Sequence, residues 1–286
     1  MIKNFGLILF LPFLCSTNAQ MEATIIDSIT GESVSQVNIW LTDKGQGTFS
    51  DEKGFFSFKK TFGAEKVIFS AVGYKTKEVP INQIHEKILL SPQTTVLNEA
   101  VVQARKSKRR LTKRVNRINR LRIKSILPGF ENPQILAKYF PYKKEYRKTR
   151  FLKEIRLFTQ SSYEHASFNI RLFSVGKDSF PDGYIYSKNI RVLTRKGKKI
   201  TRIDLNDENI VFPEDGFFLG VEWVRVKENL SIWNSFEPYI GFEIHDNNEG
   251  SWFYRRGVWK PMWELSNEGV PRGEYRHLAA ELILSE

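Results

Sequence analysis

The chain has 286 residues, 44 Lys and Arg against 32 Asp and Glu, a net charge of +12 and a mean hydropathy of −0.37. That length suits about two domains, each able to bury a core. After one apolar stretch near the N-terminus, no run approaches the ~20 apolar residues of a bilayer-spanning helix, so a helical membrane protein is excluded.

Lys3, the apolar run 5–14 and the small residues Thr17-Asn18-Ala19 have the charged, apolar, cleavable order of a secretory signal. Residues 1–19 are therefore expected to be a signal peptide, which places the protein in the periplasm or at the outer membrane. A lipid anchor on Cys15 is the rival reading, but Pro12-Phe13-Leu14 puts bulky residues where small ones normally precede a lipidated cysteine. Loss of Cys15 with the signal leaves 267 residues and no cysteine, which excludes disulfides and zinc–thiolate chemistry.

The 22 Phe, 10 Tyr and 6 Trp are spread through short segments broken by Gly, Asn and Asp, an all-β pattern. In residues 20–102, Val37, Ile39 and Leu41 alternate with Asn38, Trp40 and Thr42, the period of a strand with one buried face. Strands are expected over 22–27, 34–42, 48–50, 55–59, 66–71, 75–80 and 87–90, enough for a small sandwich. Asp51-Glu52-Lys53-Gly54 reads as a hairpin turn in which Asp51 accepts local N–H bonds and Gly54 takes positive φ. Gly73 lets the chain turn, and Tyr74 is expected to pack across the sandwich end. A calcium role for Asp51 and Glu52 is disfavoured, because a full cage needs about 6 to 8 oxygens.

The motifs GTFSDEKGFFSF (47–58), VIFSAVGYKTKEV (67–79) and TVLNEAVV (95–102), in that order, resemble the carboxypeptidase regulatory-like module. That module stands at the front of many TonB-dependent outer-membrane importers of Bacteroidetes-type bacteria. The resemblance implies a transthyretin-like β-sandwich without catalytic residues, so no peptidase activity carries over. It also implies that 97–102 lies near a TonB-contacting stretch, although Ala100 stands where valine is usual and Gln103-Ala104 replaces a common Thr-Gly. The 184 residues after 102 are too few for a plug and a barrel of about 22 strands, so the chain is not itself such an importer.

Residues 103–142 read as a basic connector. Its segment 105–124 holds eleven Lys or Arg and no acid, leaving a net charge of only +1 elsewhere. Leu111, Val115, Ile118 and Leu121 recur at four, three and three, which predicts an amphipathic helix ending before Pro128-Gly129. Arg109, Arg110, Lys113, Arg114, Arg117 and Arg120 would then lie on an anionic membrane surface, dock on an acidic outer-membrane partner, or form a solvated face. Nucleic acid is not expected, because no nucleic-acid fold motif accompanies the run.

From about 143, period-two patterns return. Phe168, Ile170 and Leu172 form one strand, Leu278, Ala280, Leu282 and Leu284 another, and 209–223 two strands about a Pro-Glu-Asp-Gly turn. A jelly-roll-like sandwich of about eight strands is expected over 143–286. Arg171, Arg191 and Glu222 inside strands argue against a small membrane barrel. Five of the six Trp fall between 223 and 263. Trp252, Tyr254, Trp259 and Trp263, if exposed, would stack on sugar rings; buried, they are core.

Catalytic signatures are missing: no Gly-x-Ser-x-Gly elbow, zinc helix or phosphate loop occurs. His85, His165, His245 and His277 lack ligand spacing, and the oxygen-rich stretches 204–208 and 245–249 lack the glycine and distal glutamate of an EF-hand. No metal or cofactor is expected. The residues point to a non-enzymatic envelope protein whose second domain binds a glycan, peptide or outer-membrane partner. The alternatives are a polysaccharide hydrolase in which Glu222, Glu237 and Glu243 converge, or a purely structural accessory protein.

Overall fold

A computed structural model describes residues 20–42, 44–61, 63–93, 111–248, 250–255, 257–264 and 273–286. The expected signal peptide and the 95–102 motif lie outside the described residues.

The N-terminal unit is built from β1 (Met21–Asp27), β2 (Asn38–Leu41), β3 (Gly47–Phe49), β4 (Phe55–Phe58), β5 (Lys66–Ser70), β6 (Lys77–Pro80) and β7 (Lys87–Leu90), each where the alternating pattern places a strand. They form two sheets, β4-β1-β7 and β3-β2-β5-β6, with β1 and β7 parallel. Ile39, Leu41, Val67 and Phe69 project between the sheets onto Ala23 and Ile25. Because side chains alternate along a strand, Asn38, Trp40, Ile68 and Ser70 face the other way. The turn chemistry is as expected. The Asp51 carboxylate accepts the N–H groups of Lys53 and Phe55 at 2.9 Å. Gly54 has φ +74°, and a Cβ there would sit 2.6 Å from the Ile25 carbonyl oxygen, so only glycine closes this hairpin. Tyr74 donates to Asp27 Oδ2 at 2.9 Å. Asp27 also accepts the Thr30 and Ile29 N–H groups, and these bonds hold its carboxyl below the usual range.

The second unit has fourteen strands among the described residues: β8 (Thr112–Val115), β9 (Ile123–Gly129), β10 (Ile135–Phe140), β11 (Phe151–Ser161), β12 (Ser167–Val175), β13 (Pro181–Tyr184), β14 (Ile190–Leu193), β15 (Gly197–Asp204), β16 (Phe217–Trp223), β17 (Phe236–His245), β18 (Ser251–Arg255), β19 (Val258–Pro261), β20 (Tyr275–Leu278) and β21 (Ala280–Ser285). They make two seven-stranded sheets. The β16 sheet runs β13-β12-β16-β10-β18-β19 with β14 on β12, and the β11 sheet runs β20-β17-β11-β21-β8 with β15 on β11 and β9 on β17. Between them lies a core that includes Leu157, Phe168, Phe217, Trp223, Phe242 and Leu282. Each such side chain contributes about 1.5–3 kcal/mol by leaving water.

Three expectations are corrected. The basic helix does not form: the segment supplies the edge strand β8, a loop with a short 3₁₀ turn at Arg120–Arg122, and β9. Of its apolar stripe only Val115 enters the core, while Leu121 is 83% exposed. Asn116 takes φ +56° and donates to the Ala280 carbonyl at 2.7 Å, which breaks a helix and fixes the chain against β21. The sandwich is also larger than eight strands: residues 143–286 alone supply eleven, and residues 112–140, read as connector, add three. Finally, residues 209–223 give one strand, β16, preceded by a single bridge from Val211 to Phe151.

The β16 sheet is buried on both faces. Phe168, Ile170, Leu219 and Val221 face the β11 sheet. Asn169, Arg171 and Glu222 face the other way and meet the outer face of the β2 sheet. Glu222 Oε1 accepts from Asn38 Nδ2 at 2.5 Å, and its Oε2 accepts from Arg171 Nη2 at 2.5 Å and Nε at 2.8 Å. Asn169 donates to Gln36 at 3.1 Å, and the fully buried Trp40 meets Tyr254 edge-on at 6.4 Å. At one end of the seam, Asn132 accepts the Gly47 N–H at 2.9 Å and the Arg225 guanidinium lies 5.3 Å from the Phe49 ring centre. The four sheets therefore stack in the order β1, β2, β16, β11.

Two outcomes follow from these buried groups. Glu222→Ala leaves the Arg171 cation buried without its carboxylate, and urea unfolding is expected to show a loss of about 3–5 kcal/mol, with Glu222→Gln costing less; equal stability of the alanine variant and wild type contradicts the seam. His277, on β20, is buried, and burial lowers its pKa to about 4 while its Nε2 hydrogen-bonds the Asn247 carbonyl oxygen at 2.8 Å. The unfolded chain then binds the extra proton first, so this contribution is complete above about pH 6.5 and disappears as pH falls toward 4. Wild type is expected to lose on the order of 3 kcal/mol more than His277→Asn across that window; parallel urea midpoints from pH 7 to 4 contradict it.

Candidate functional site

Of the four aromatics singled out from the sequence, three come together on the outer face of the β16 sheet. Trp252 and Tyr254 alternate with the core residue Phe253 along β18, and Trp259 faces Tyr254 from β19. Two chains of ring contacts result. One runs Phe180–Trp252–Phe218–Tyr139, with centroids 4.5, 5.9 and 5.1 Å apart. The other runs Trp40–Tyr254–Trp259–Phe173–Tyr184, at 6.4, 5.1, 5.2 and 4.8 Å. Most of these pairs meet edge to face or tilted, the arrangement of a packed cluster rather than a flat stacking platform. Burial pushes the Tyr184 hydroxyl up to about 12, with the Glu222 carboxylate adding to it, and Ser70 hydrogen-bonds it across the seam. Trp263 stands apart on the turn Met262–Glu264 and is exposed.

The basic residues lead to a different place. On the far face of the β11 sheet a cleft of about 930 Å³ is lined by Arg117, Ile118, Asn119 and Arg120 from the 116–122 loop, Arg156 from β11, Lys199, Ile200 and Arg202 from β15, and Glu281 from β21. Cross-strand pairing sets the row: Arg156 lies opposite Arg202 on one side and Glu281 on the other. Glu281 is buried and accepts from Arg156 Nη1 at 2.8 Å, Arg114 Nε at 3.1 Å and the Ile118 N–H at 3.1 Å, which ties the loop to the sheet. Arg156 also pairs with Glu154. Asn119 N–H donates to the buried Glu243, and the Asn119 side chain accepts from Leu121 N–H at 3.0 Å, shaping the rim.

Three acids, Glu281, Glu154 and Glu243, therefore hold the loop and Arg156 in place. Arg117, Arg120, Lys199 and Arg202 have no carboxylate partner among the described residues. Four unneutralised cations around one concavity make a positive potential that attracts anions, and three of them are guanidiniums able to grip a carboxylate, phosphate or sulfate by two parallel bonds. Of the other basic candidates, Lys113 pairs with Glu145 at 3.1 Å and Arg114 with Glu281. Arg109 and Arg110 lie outside the described residues.

The three glutamates named for hydrolysis sit apart. Glu222 belongs to the seam. Glu237 accepts from the Ser161 hydroxyl and the Ser162 N–H, both at 2.6 Å, and Glu243 lies under the 116–122 loop near His245. Asp204, in one oxygen-rich stretch, accepts the Asn206 N–H at 2.9 Å as a local turn cap. Among the described residues no group of three His, Cys, Asp or Glu side chains is arranged to hold a metal.

Sequence reasoning missed Arg156, Lys199, Arg202 and Glu281. The run Lys198-Lys199-Ile200-Thr201-Arg202 carries a strand-like alternation. The pairing of β15 with β11, forty residues earlier, is what brings its cations to the loop, and periodicity does not encode it.

Comparison with known proteins gives three findings. No curated protein matches the sequence. Among solved structures, the crystal structure of the cysteine protease and lectin-like domains of Cwp84, a surface layer associated protein of Clostridium difficile, is similar at 9% identity and a TM-score of 0.42. The alignment covers 84% of this chain and 46% of that one, so the chain spans less than half the length of that relative. Residues 22–102 match the family model described as CarboxypepD_reg-like domain, which coincides with the seven-stranded unit of β1 to β7. The N-terminal unit of this chain is a carboxypeptidase regulatory-like domain.

Proposed function

We propose that the protein is a non-enzymatic binding module of the cell envelope that holds an acidic glycan in the cleft on the β11 sheet. The observation that carries the reading is the set of four cations, Arg117, Arg120, Lys199 and Arg202, which line one cavity and have no carboxylate partner among the described residues. A cavity of about 930 Å³ is at the upper end of ordinary ligand sites and has room for a short run of sugar rings. Guanidiniums recognise a carboxylate, phosphate or sulfate through its planar pair of oxygens, and an acidic glycan repeats such a group along its length. The exported setting rests on Lys3, the apolar run 5–14 and Ala19.

In this reading the regulatory-like domain is an accessory. It covers the opposite face of the sandwich, across the β16 sheet, and leaves the cleft open. The separation of Glu222, Glu237 and Glu243 into different surroundings supports binding rather than glycoside cleavage, which needs two carboxyl groups about 5 to 9 Å apart across the substrate. Trp252, Tyr254 and Trp259 support the seam, and their part in ligand binding becomes secondary.

The test is affinity electrophoresis and calorimetry of the full chain with polygalacturonate, dextran sulfate and neutral dextran. Binding to the two polyanions that weakens from 50 to 500 mM salt is expected, with no retardation by neutral dextran. The variant R117Q/R120Q/K199Q/R202Q is expected to bind at least about ten-fold more weakly, since exposed ion pairs contribute about 0.2–1 kcal/mol each and four act together. Its unfolding midpoint should stay at the wild-type value, because none of the four holds the fold. Equal binding by the variant, or equal binding of neutral dextran, overturns the assignment.

A further inference from the structure

Between β16 and β17 the chain forms a loop, residues 230–235, whose burial is inverted. Its serines are inside and its large apolar residues outside: Ser231 and Ser235 are buried, whereas Ile232 is 84% and Trp233 78% exposed. The exposure belongs to a fixed shape. Ser231 N–H donates to the Ser235 carbonyl at 2.7 Å, the two serine hydroxyls lie 2.8 Å apart, and Trp233 N–H donates to Ser231 Oγ at 3.2 Å. Asn234 closes the turn with φ +57°. The stem is clamped by fully buried Asn229, whose Oδ1 accepts the Ser167 N–H at 2.8 Å and whose Nδ2 donates to the carbonyls of Ser167 at 2.7 Å and Val224 at 2.5 Å. A loop that spends its hydroxyls on rigidity and turns an isoleucine and a tryptophan to water runs against the usual sorting of side chains.

The neighbouring segments have the same character. Leu193 pairs with Ser167, the residue that Asn229 clamps, so the turn after β14 leaves from the same end of the sandwich. Phe130 follows Gly129, which pairs with Phe236 directly after the loop, and its carbonyl accepts from Arg225 Nε at 2.9 Å. Leu193, Phe130 and Leu230 are all exposed. Exposed cations stand among them: Arg195 and Lys196 in the turn, Lys198 at the start of β15 and Lys227 at the stem, against Glu131, Glu164 and Glu228. Four exposed cations to three acids leave this end net positive.

We propose that this end of the second sandwich is a membrane-surface contact, with Ile232 and Trp233 entering the boundary between headgroups and acyl chains of an anionic bilayer and the surrounding Lys and Arg meeting lipid phosphates. Three features favour a bilayer over another occupant. The apolar residues come from three separate segments and form a protrusion instead of a groove. Aliphatic Ile232, Leu230 and Leu193 beside the tryptophan suit hydrocarbon better than a sugar ring. Tryptophan, with an apolar body and one N–H, prefers the headgroup level, and a cationic rim complements anionic lipid. The inference is independent of the cleft and uses none of its residues.

The experiment is flotation of the full chain with vesicles of 30% phosphatidylglycerol in phosphatidylcholine, and with phosphatidylcholine alone. Wild type is expected to float with the mixed vesicles, and I232S/W233S to partition at least ten-fold less. R195Q/K196Q/K227Q should lose the preference for mixed over neutral vesicles. Because Ile232 and Trp233 are exposed, the double variant should unfold at the wild-type midpoint and keep wild-type binding to polygalacturonate. Trp233 fluorescence, isolated as the difference between wild type and W233F, should be quenched by brominated acyl chains. Equal flotation of the double variant overturns the proposal. So does the lack of flotation by wild type, or a dimer in light scattering that the double variant abolishes, which would assign the tip to a second copy of the chain.

Discussion

A sheet with no free face sets the terms for this molecule. One side of the β16 sheet makes an ordinary apolar core with the β11 sheet, while the other carries Asn169, Arg171 and Glu222 in the middle of an aromatic border. A carboxylate and a guanidinium withdrawn from water on one sheet face are tolerable only if they find each other and their remaining hydrogen-bond capacity is used. Here Asn38 and Gln36 of the regulatory-like domain complete the network. The C-terminal sandwich is consequently unfinished without the domain before it, and the two form one packed stack rather than beads on a linker.

This arrangement assigns the two classes of residue that stand out in the sequence. Aromatics concentrate where one domain meets the other, because large rings close the gap around a polar centre. Unpaired cations collect on the outermost face, where Glu281 and Glu154 position Arg156 and the 116–122 loop. Neutralising acids on such a surface would cancel its attraction for anions. Four cations with no carboxylate partner among the described residues cost little stability while they remain hydrated, and their charge stays available to an anion.

Legibility in the sequence followed the range of the interaction concerned. The strands of the first domain and its Asp51–Gly54 turn could be read directly, since alternation and turn chemistry are local. The helix expected at 105–124 was a fair reading of a 3.6-residue stripe, but like charges repel along a helix, and β21 offered a ladder of backbone partners plus the Glu281 carboxylate. Trp40 and Glu222 illustrate the remaining gap. Each lies on the side of its strand that alternation marks as outward, and each is buried because a second sheet covers it. No local pattern announces a contact between residues 38 and 222, nor the placing of Arg117 and Arg202 around one cavity.

The strand β8 has a role beyond supplying Val115 to the core. Among the described residues it is the outermost strand beside β21, so its far side presents backbone groups that could recruit a strand from another molecule. It is only four residues long, and two of these are Lys113 and Arg114. A border this short offers few rungs for pairing, and its two long cationic side chains are engaged by Glu145 and Glu281. The shortness of β8 thus limits edge-to-edge pairing at this margin of the sheet.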